Sequence, residues 1–92
     1  MNREQMRVWY TGRVQGVGFR YQAKSVAAGF EIKGIVRNLT DGRVEIIAEG
    51  DRQELEAFRQ SVRDSGLGPM IRDESVSWVA AQGSFRGFEI VR

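Results

Sequence analysis

The sequence predicts an α+β fold, a ferredoxin-like split βαβ sandwich in which an antiparallel sheet of four to five strands carries two helices on one face. Three observations predict it. The 92 residues suit one small domain, so residues 1–92 are read as a single unit. The spacing of apolar residues switches between a period of two and one of about 3.6, in the order β-α-β-β-α-β-β. An antiparallel sheet with both helices on one face is then the economical way for so short a chain to bury two amphipathic helices.

The first strand is read over residues 7–13, where Val8, Tyr10 and Val14 alternate with Trp9, Thr11 and Arg13. Phe19, Ala23, Val26 and Phe30 then recur at spacings of four, three and four, giving a helix over 20–29 with one apolar face and Gly29 as its stop. Ile32, Gly34 and Val36 alternate with Glu31, Lys33 and Arg37, and Val44, Ile46 and Ala48 alternate with Glu45 and Glu49. These two strands are joined by Leu39-Thr40-Asp41-Gly42, whose Asp-Gly pair has the positive-φ chemistry of a tight hairpin. Gly50 ends the second of them. Asp51, with Glu54 three residues on, reads as an acidic capping box for a helix marked by Leu55, Phe58 and Val62 and closed by Gly66. Gly66 to Pro69 reads as a loop. Val76, Trp78 and Ala80 mark a further strand, and Phe88 and Ile90, flanking Glu89, a short last one.

At 41% hydrophobic and 28% charged residues, with a single Pro, the chain has the apolar content of a globular protein. It contains no Cys and no His, which excludes disulfide scaffolds, thiolate metal sites, cysteine nucleophiles and the commonest general base together. Chemistry must come from carboxylates, Arg, Lys, amides, hydroxyls or the backbone. The apolar runs are short and Met1 to Gln5 lacks a signal-type apolar core, so a cytoplasmic protein with no membrane partner is expected. The net charge of +2 is uneven: residues 1–44 hold eight Lys/Arg against three Asp/Glu, and residues 45–92 hold six against nine. A basic first half favours an anionic ligand within it, although solvated surface charge is the commoner reading of any one of these residues.

The segment Gly12-Arg13-Val14-Gln15-Gly16-Val17-Gly18-Phe19-Arg20 joins the first strand to the first helix. Its glycines let the backbone turn sharply, and N–H groups converging at the helix N-terminus carry roughly half a positive charge, which makes an anion cradle. Arg20 in the first helical turn can add a bidentate fork matched to a phosphoryl group. The plain alternative is a glycine-eased turn beside a solvated arginine. No Gly-Lys-Ser/Thr follows, as a Walker loop needs, and the third glycine of the dinucleotide fingerprint is absent.

This run closely resembles the first signature of the acylphosphatases, Gly-x-Val-Gln-Gly-Val-x-Phe-Arg, and Gly12 through Arg20 match it throughout. Gly34-Ile35-Val36-Arg37-Asn38, Gly42-Arg43-Val44 and Gly50 resemble the second signature with the same spacing. Two departures stand out. Ile35 lies where the family usually has an aromatic residue, and Glu31 where a glycine often ends the first helix. The resemblance implies that Arg20 and the backbone N–H groups of Gln15, Gly16, Val17, Gly18, Phe19 and Arg20 bind the phosphoryl oxygens, and that Asn38 orients the attacking water. It implies no metal and no cofactor. Taken alone, Asn38 reads as a polar turn residue bonded to its own backbone.

The implied activity is hydrolysis of small-molecule acyl phosphates to carboxylate and inorganic phosphate, the latter both product and inhibitor, by a monomer. Such chemistry needs no His or Cys, because the expelled carboxylate has a conjugate acid of pKa only about 4 and leaves without a general acid. Arg13, Lys24 and Arg37 read as steering or solvated charges, and Asp41 and Asp51 as turn and cap residues rather than a carboxylate pair. Trp9 and Trp78 read as packing residues. An RNA-binding sheet of similar topology is the rival from another class, but the strand from Arg43 to Glu49 has no aromatic residue, so no specific nucleic-acid partner is expected. A closer rival is a carbamoyl-phosphate-handling domain of a larger maturation protein, against which the chain is expected to start and stop as a free-standing enzyme.

Overall fold

The computed structural model describes residues 3–92; Met1 and Asn2, part of the stretch read as lacking a signal-type core, lie outside the described residues. Strands β1 (Arg3–Gly12), β2 (Lys33–Asn38), β3 (Val44–Asp51), β4 (Ile71–Ala80) and β5 (Phe88–Ile90) alternate with helices α1 (Phe19–Ala27) and α2 (Arg52–Asp64) in the expected order. The five strands form one sheet in the order β4-β1-β3-β2-β5. The pairs β1·β3, β1·β4 and β2·β3 are antiparallel. The last strand departs from the antiparallel expectation: β5 adds to the edge in parallel with β2, so the sheet is mixed.

Both helices cover one face of the sheet. Met6, Val8 and Tyr10 of β1, Val36 of β2 and Val44, Ile46 and Ala48 of β3 are buried there against Phe19, Ala23 and Ala27 of α1 and Leu55, Phe58 and Val62 of α2. Each large apolar side chain taken out of water in this layer contributes about 1.5–3 kcal/mol. Phe58 is the hub at the β5 side, meeting Phe88 at 5.6 Å and Phe30 at 6.1 Å in edge-on geometry.

Several boundaries differ from the sequence reading, each for a physical reason. β1 begins at Arg3 rather than residue 7, because Gln5 is a polar residue made compatible with burial by bonding Glu49, which hides the strand from an apolar pattern. β4 starts at Ile71 rather than near Val76; its charged first half is an edge strand laddered to β1. α1 ends at Ala27 in short turns, with Gly29 N–H on Val26 O at 3.1 Å and Phe30 N–H on Ala27 O at 3.0 Å, and Gly29 does not take a left-handed conformation.

The capping box at Asp51 does not form. Asp51 makes no side-chain cap bond, and Glu54 Oε1 instead accepts from Glu31 N–H at 2.9 Å, tying α2 to the turn that leads into β2. Glu31 itself does not take a positive φ, so the position does not demand the glycine that often ends this helix. Nor does Gly66 close α2. Ser65 does, its Oγ donating to Val62 O at 2.6 Å and accepting from Leu67 N–H at 3.2 Å. The Gly66–Pro69 loop runs into a single 3-10 turn, Gly68–Met70.

Candidate active site

The loop between β1 and α1 is pinned at both ends, and its amides in between are unbonded. Arg13 N–H donates to Met70 O at 2.9 Å, Val14 is fully buried, and at the other end Phe19 enters the core with its ring 5.0 Å from that of Tyr10. Between these anchors Gly16 (φ 76) and Gly18 (φ 80) hold left-handed conformations that side chains rarely adopt. The consequence is a backbone whose amides turn away from the chain's own carbonyls. The first helical bond runs from Gln22 N–H to Gly18 O at 3.0 Å. Among the described residues, none of the N–H groups from Gln15 to Arg20 donates to another protein group. Gly18 caps α1 without any side-chain bond and no acidic residue stands in the first turn, so the positive end of the helix is unopposed.

Arg20 is partly buried and, among the described residues, has no carboxylate partner. Arg13 and Lys24 are likewise unpaired, and no Asp or Glu occurs from residue 13 to 24. Arg37 is different: its Nε donates to Glu45 Oε1 at 2.7 Å on the helix-free face, which removes it from the loop. Of the six Lys and Arg in residues 1–44 without a carboxylate partner among the described residues, three, Arg13, Arg20 and Lys24, thus fall on this one segment.

Asn38 ends β2 next to the hairpin. The turn is closed by Leu39 N–H on Arg43 O at 2.8 Å and Gly42 N–H on Leu39 O at 3.2 Å. Gly42 has a positive φ and Asp41 does not, so the turn uses one left-handed residue rather than two. Asp41 is held by Arg43, whose N–H and Nε donate at 3.1 and 2.8 Å; the backbone bond foremost keeps its carboxyl below the usual range. Asn38 takes no part in this closure. Its Oδ1 is buried without a hydrogen-bond partner, an unusual state for a polar atom. Loop and hairpin are joined by the side chain of Gln15, whose Nε2 donates to Leu39 O at 2.8 Å and Arg43 O at 2.9 Å. This contact was not foreseen from the sequence.

The acylphosphatase family model matches residues 6–90. The chain belongs to the acylphosphatase family. It is 42% identical over 90 residues to the acylphosphatase of Thermobifida fusca, covering 97% of this chain and 98% of that one. The crystal structure of acylphosphatase from Bacillus subtilis matches with a TM-score of 0.88 at 38% identity, over 97% of this chain and 99% of that one. Full-length HypF, solved in a phosphate- and nucleotide-bound form, matches with a TM-score of 0.81 at 27% identity, over 98% of this chain but 12% of HypF. Membership makes the chain a hydrolase whose substrate class is small acyl phosphates.

The rest of the acylphosphatase fold supports this end of the sheet. On the helix-free face, Trp9 Nε1 donates to Glu45 Oε2 at 2.8 Å, so the indole is tied down beside a carboxylate rather than presented as a stacking platform. Glu45 and Glu49 sit on the central strand of that face, which disfavours a nucleic-acid backbone. Trp78 is partly buried against the core with the Arg52 guanidinium 3.9 Å from its ring centroid. Ile35 stands opposite Ile47 in register on the same helix-free face, where it takes a packing position. Behind the loop, burial and the neighbouring Glu74 raise the pKa of the Tyr10 hydroxyl, keeping it neutral. Glu74 is in turn paired with Arg63 at 2.6 Å. Among the described residues, no helix is long and apolar enough to cross a membrane, and no three His, Cys, Asp or Glu side chains converge as a metal site would require.

Proposed function

We propose that residues 1–92 act as one catalytic domain that hydrolyses acyl phosphates without a metal, in the cytoplasm and as a monomer, at the junction of the β1–α1 loop and the β2–β3 hairpin. One observation carries the reading: a run of N–H groups from Gln15 to Arg20 with no protein acceptor lies across the Gln15 bridge from a buried, unpartnered Asn38 Oδ1. Donors without acceptors on one side and an acceptor without a donor on the other match a phosphoryl anion and a water.

In this mechanism the amides of Gln15, Gly16, Val17, Gly18, Phe19 and Arg20 and the Arg20 fork bind the three non-bridging phosphoryl oxygens. Their donors are fixed before substrate arrives, so charge that spreads over those oxygens in the transition state is stabilised at little cost in reorganisation. Val17 and Phe19 contribute through the backbone alone, since the Phe19 side chain is in the core. Asn38 Oδ1 accepts a hydrogen bond from the water, which turns an oxygen lone pair toward phosphorus in line with the acyl oxygen. The P–O bond to water forms as the acyl P–O bond breaks. The carboxylate leaves with the bonding pair, and the water's proton passes to a phosphoryl oxygen, giving inorganic phosphate. Neutralisation by Arg20 and the amides takes the place a metal fills in other phosphoryl-transfer sites.

Phosphate release from benzoyl phosphate, with and without a chelator, tests the reading. Equal turnover in both, with inorganic phosphate as a competitive inhibitor, is expected; loss of turnover with chelator or purely non-competitive inhibition contradicts it.

A further inference from the structure

Between Val14 and Phe19, apart from the helix-opening bond from Gln22 N–H to Gly18 O, the phosphate loop has one polar tie to the rest of the molecule among the described residues, and it is the side chain of Gln15. The tie is complete in the sense of donor and acceptor capacity. The amide Nε2 uses both protons, one on Leu39 O at 2.8 Å and one on Arg43 O at 2.9 Å. Each carbonyl already accepts one bond that closes the hairpin, from Gly42 N–H and Leu39 N–H respectively, and gives its second lone pair to Gln15. Leu39 directly follows Asn38. One end of the brace therefore sits at the first amide of the cradle and the other a single residue from Asn38.

We propose that Gln15, through its side chain, is a positioning residue that sets the separation between the phosphoryl cradle and the Asn38 amide. The inference rests on the proposed roles of the cradle and Asn38 and adds a function for a side chain whose two amide protons are both given to the hairpin. Its physical basis is the demand of in-line attack. The loop contains two left-handed glycines and no internal hydrogen bonds, so without the brace its amides and Asn38 move independently. A cradle that drifts still binds phosphate, because all its donors travel together. It no longer holds phosphorus at the distance and angle that the Asn38-bound water requires. The brace thus acts on kcat and leaves phosphate affinity nearly untouched.

A double-mutant cycle of Gln15→Ala and Asn38→Ala, read as kcat per folded molecule on benzoyl phosphate and as the inhibition constant of inorganic phosphate, tests the proposal. Gln15→Ala should lower kcat by about ten- to hundred-fold, the scale of a misplacement approaching an ångström, with the phosphate inhibition constant changed less than about three-fold, well under the tenfold step of 1.4 kcal/mol. In the Asn38→Ala background the same substitution should lower kcat by less than about two-fold, because there is no longer a positioned water to misplace. Full additivity, unchanged kcat, or a phosphate constant that rises in step with the loss of kcat overturns the brace. If Asn38→Ala alone keeps its kcat, the water-orienting reading is what fails. Should Gln15→Ala not fold, Gln15→Met carries the same test at similar size, since its thioether offers no N–H donor to either carbonyl and adds no charge beside the cradle.

Discussion

A buried amide oxygen with no partner costs roughly 1–3 kcal/mol in a folded protein, and Asn38 Oδ1 is such an atom in a hairpin whose closure bonds are made entirely by backbone. A purely structural Asn38 would be using that oxygen. Asn38→Ala is accordingly expected to lower kcat by about a hundred- to thousand-fold, the loss typical of one transition-state hydrogen bond, while phosphate inhibition and the thermal midpoint stay close to those of the parent. A destabilised but fully active variant would return Asn38 to a turn residue. Arg20 behaves differently, because its fork serves bound substrate and transition state alike: Arg20→Ala should weaken phosphate inhibition and kcat together, measured by steady-state kinetics against a phosphate series. Retained activity would remove Arg20 from the cradle. These residues were legible because the phosphate run and the β2 end carry a family pattern of fixed spacing. The Gln15 side chain was not, since its acceptors lie 24 and 28 residues away and are carbonyls, which every residue has.

The elements themselves were legible where burial follows one periodicity and obscure where side chains satisfy each other. Helices α1 and α2 and the β2–β3 hairpin were readable because Phe19, Ala23, Leu55, Phe58, Val62 and the Val44–Ala48 alternation all face the same core. The start of β4 was not, because Ile71-Arg72-Asp73-Glu74-Ser75 shows no apolar alternation, and only the structure reveals Glu74 buried against Arg59 and Arg63. The parallel β5 was equally hidden, since three residues carry no signal of direction. At the start of α2 the sequence pattern pointed to the wrong bond. An Asp-x-x-Glu spacing fits a capping box, yet Glu54 reaches across to Glu31 N–H at 2.9 Å. Asp51→Ala should therefore cost less than the typical ~1 kcal/mol of a side-chain cap. Glu54→Ala, which strips the Glu31 amide of its acceptor, should cost about 1 kcal/mol. Urea unfolding of the two variants at neutral pH decides the point; equal losses, or a larger one at Asp51, would restore the cap.

At the scale of the whole molecule the sheet poses a connection problem, because β4 and β5 occupy opposite edges and only residues 81–87 join them. The crossing is made at the end of the sheet away from Asn38; bonds from Ala81 N–H to Arg3 O at 3.3 Å and from Gly34 N–H to Gly87 O at 2.8 Å fix its two ends, and Glu49 holds it in between. Its Oε2 accepts from Gln5 Nε2 and from Gln82 N–H, both at 2.8 Å, and its Oε1 accepts from Gly83 N–H at 3.0 Å. Burial alone pushes the Glu49 carboxyl up, but the Gln82 amide, the Gln5 side chain and the Gly83 amide together outweigh it and hold the pKa below the ordinary value of 4.5. A carboxyl more acidic when folded than unfolded adds stability above its unfolded pKa, and that contribution disappears as pH falls through the folded pKa. The clamp is therefore at full strength at neutral pH and fades below 4.5. Glu49→Gln keeps the shape but places an amide against N–H donors, so at neutral pH it should cost about 2 kcal/mol, the scale of hydrogen bonds to a charged group. The variant has no carboxyl to protonate at this position, so the stability gap between it and the parent should hold from pH 7 down to about 4.5 and narrow below that, as the parent's clamp carboxyl takes up its proton. Turnover per folded molecule at neutral pH should be unchanged, because the clamp and Asn38 lie at opposite ends of the strands. Chemical unfolding at a series of pH values reads the gap directly. A gap that stays constant to the acid end would mean that the Glu49 charge does not hold the crossing.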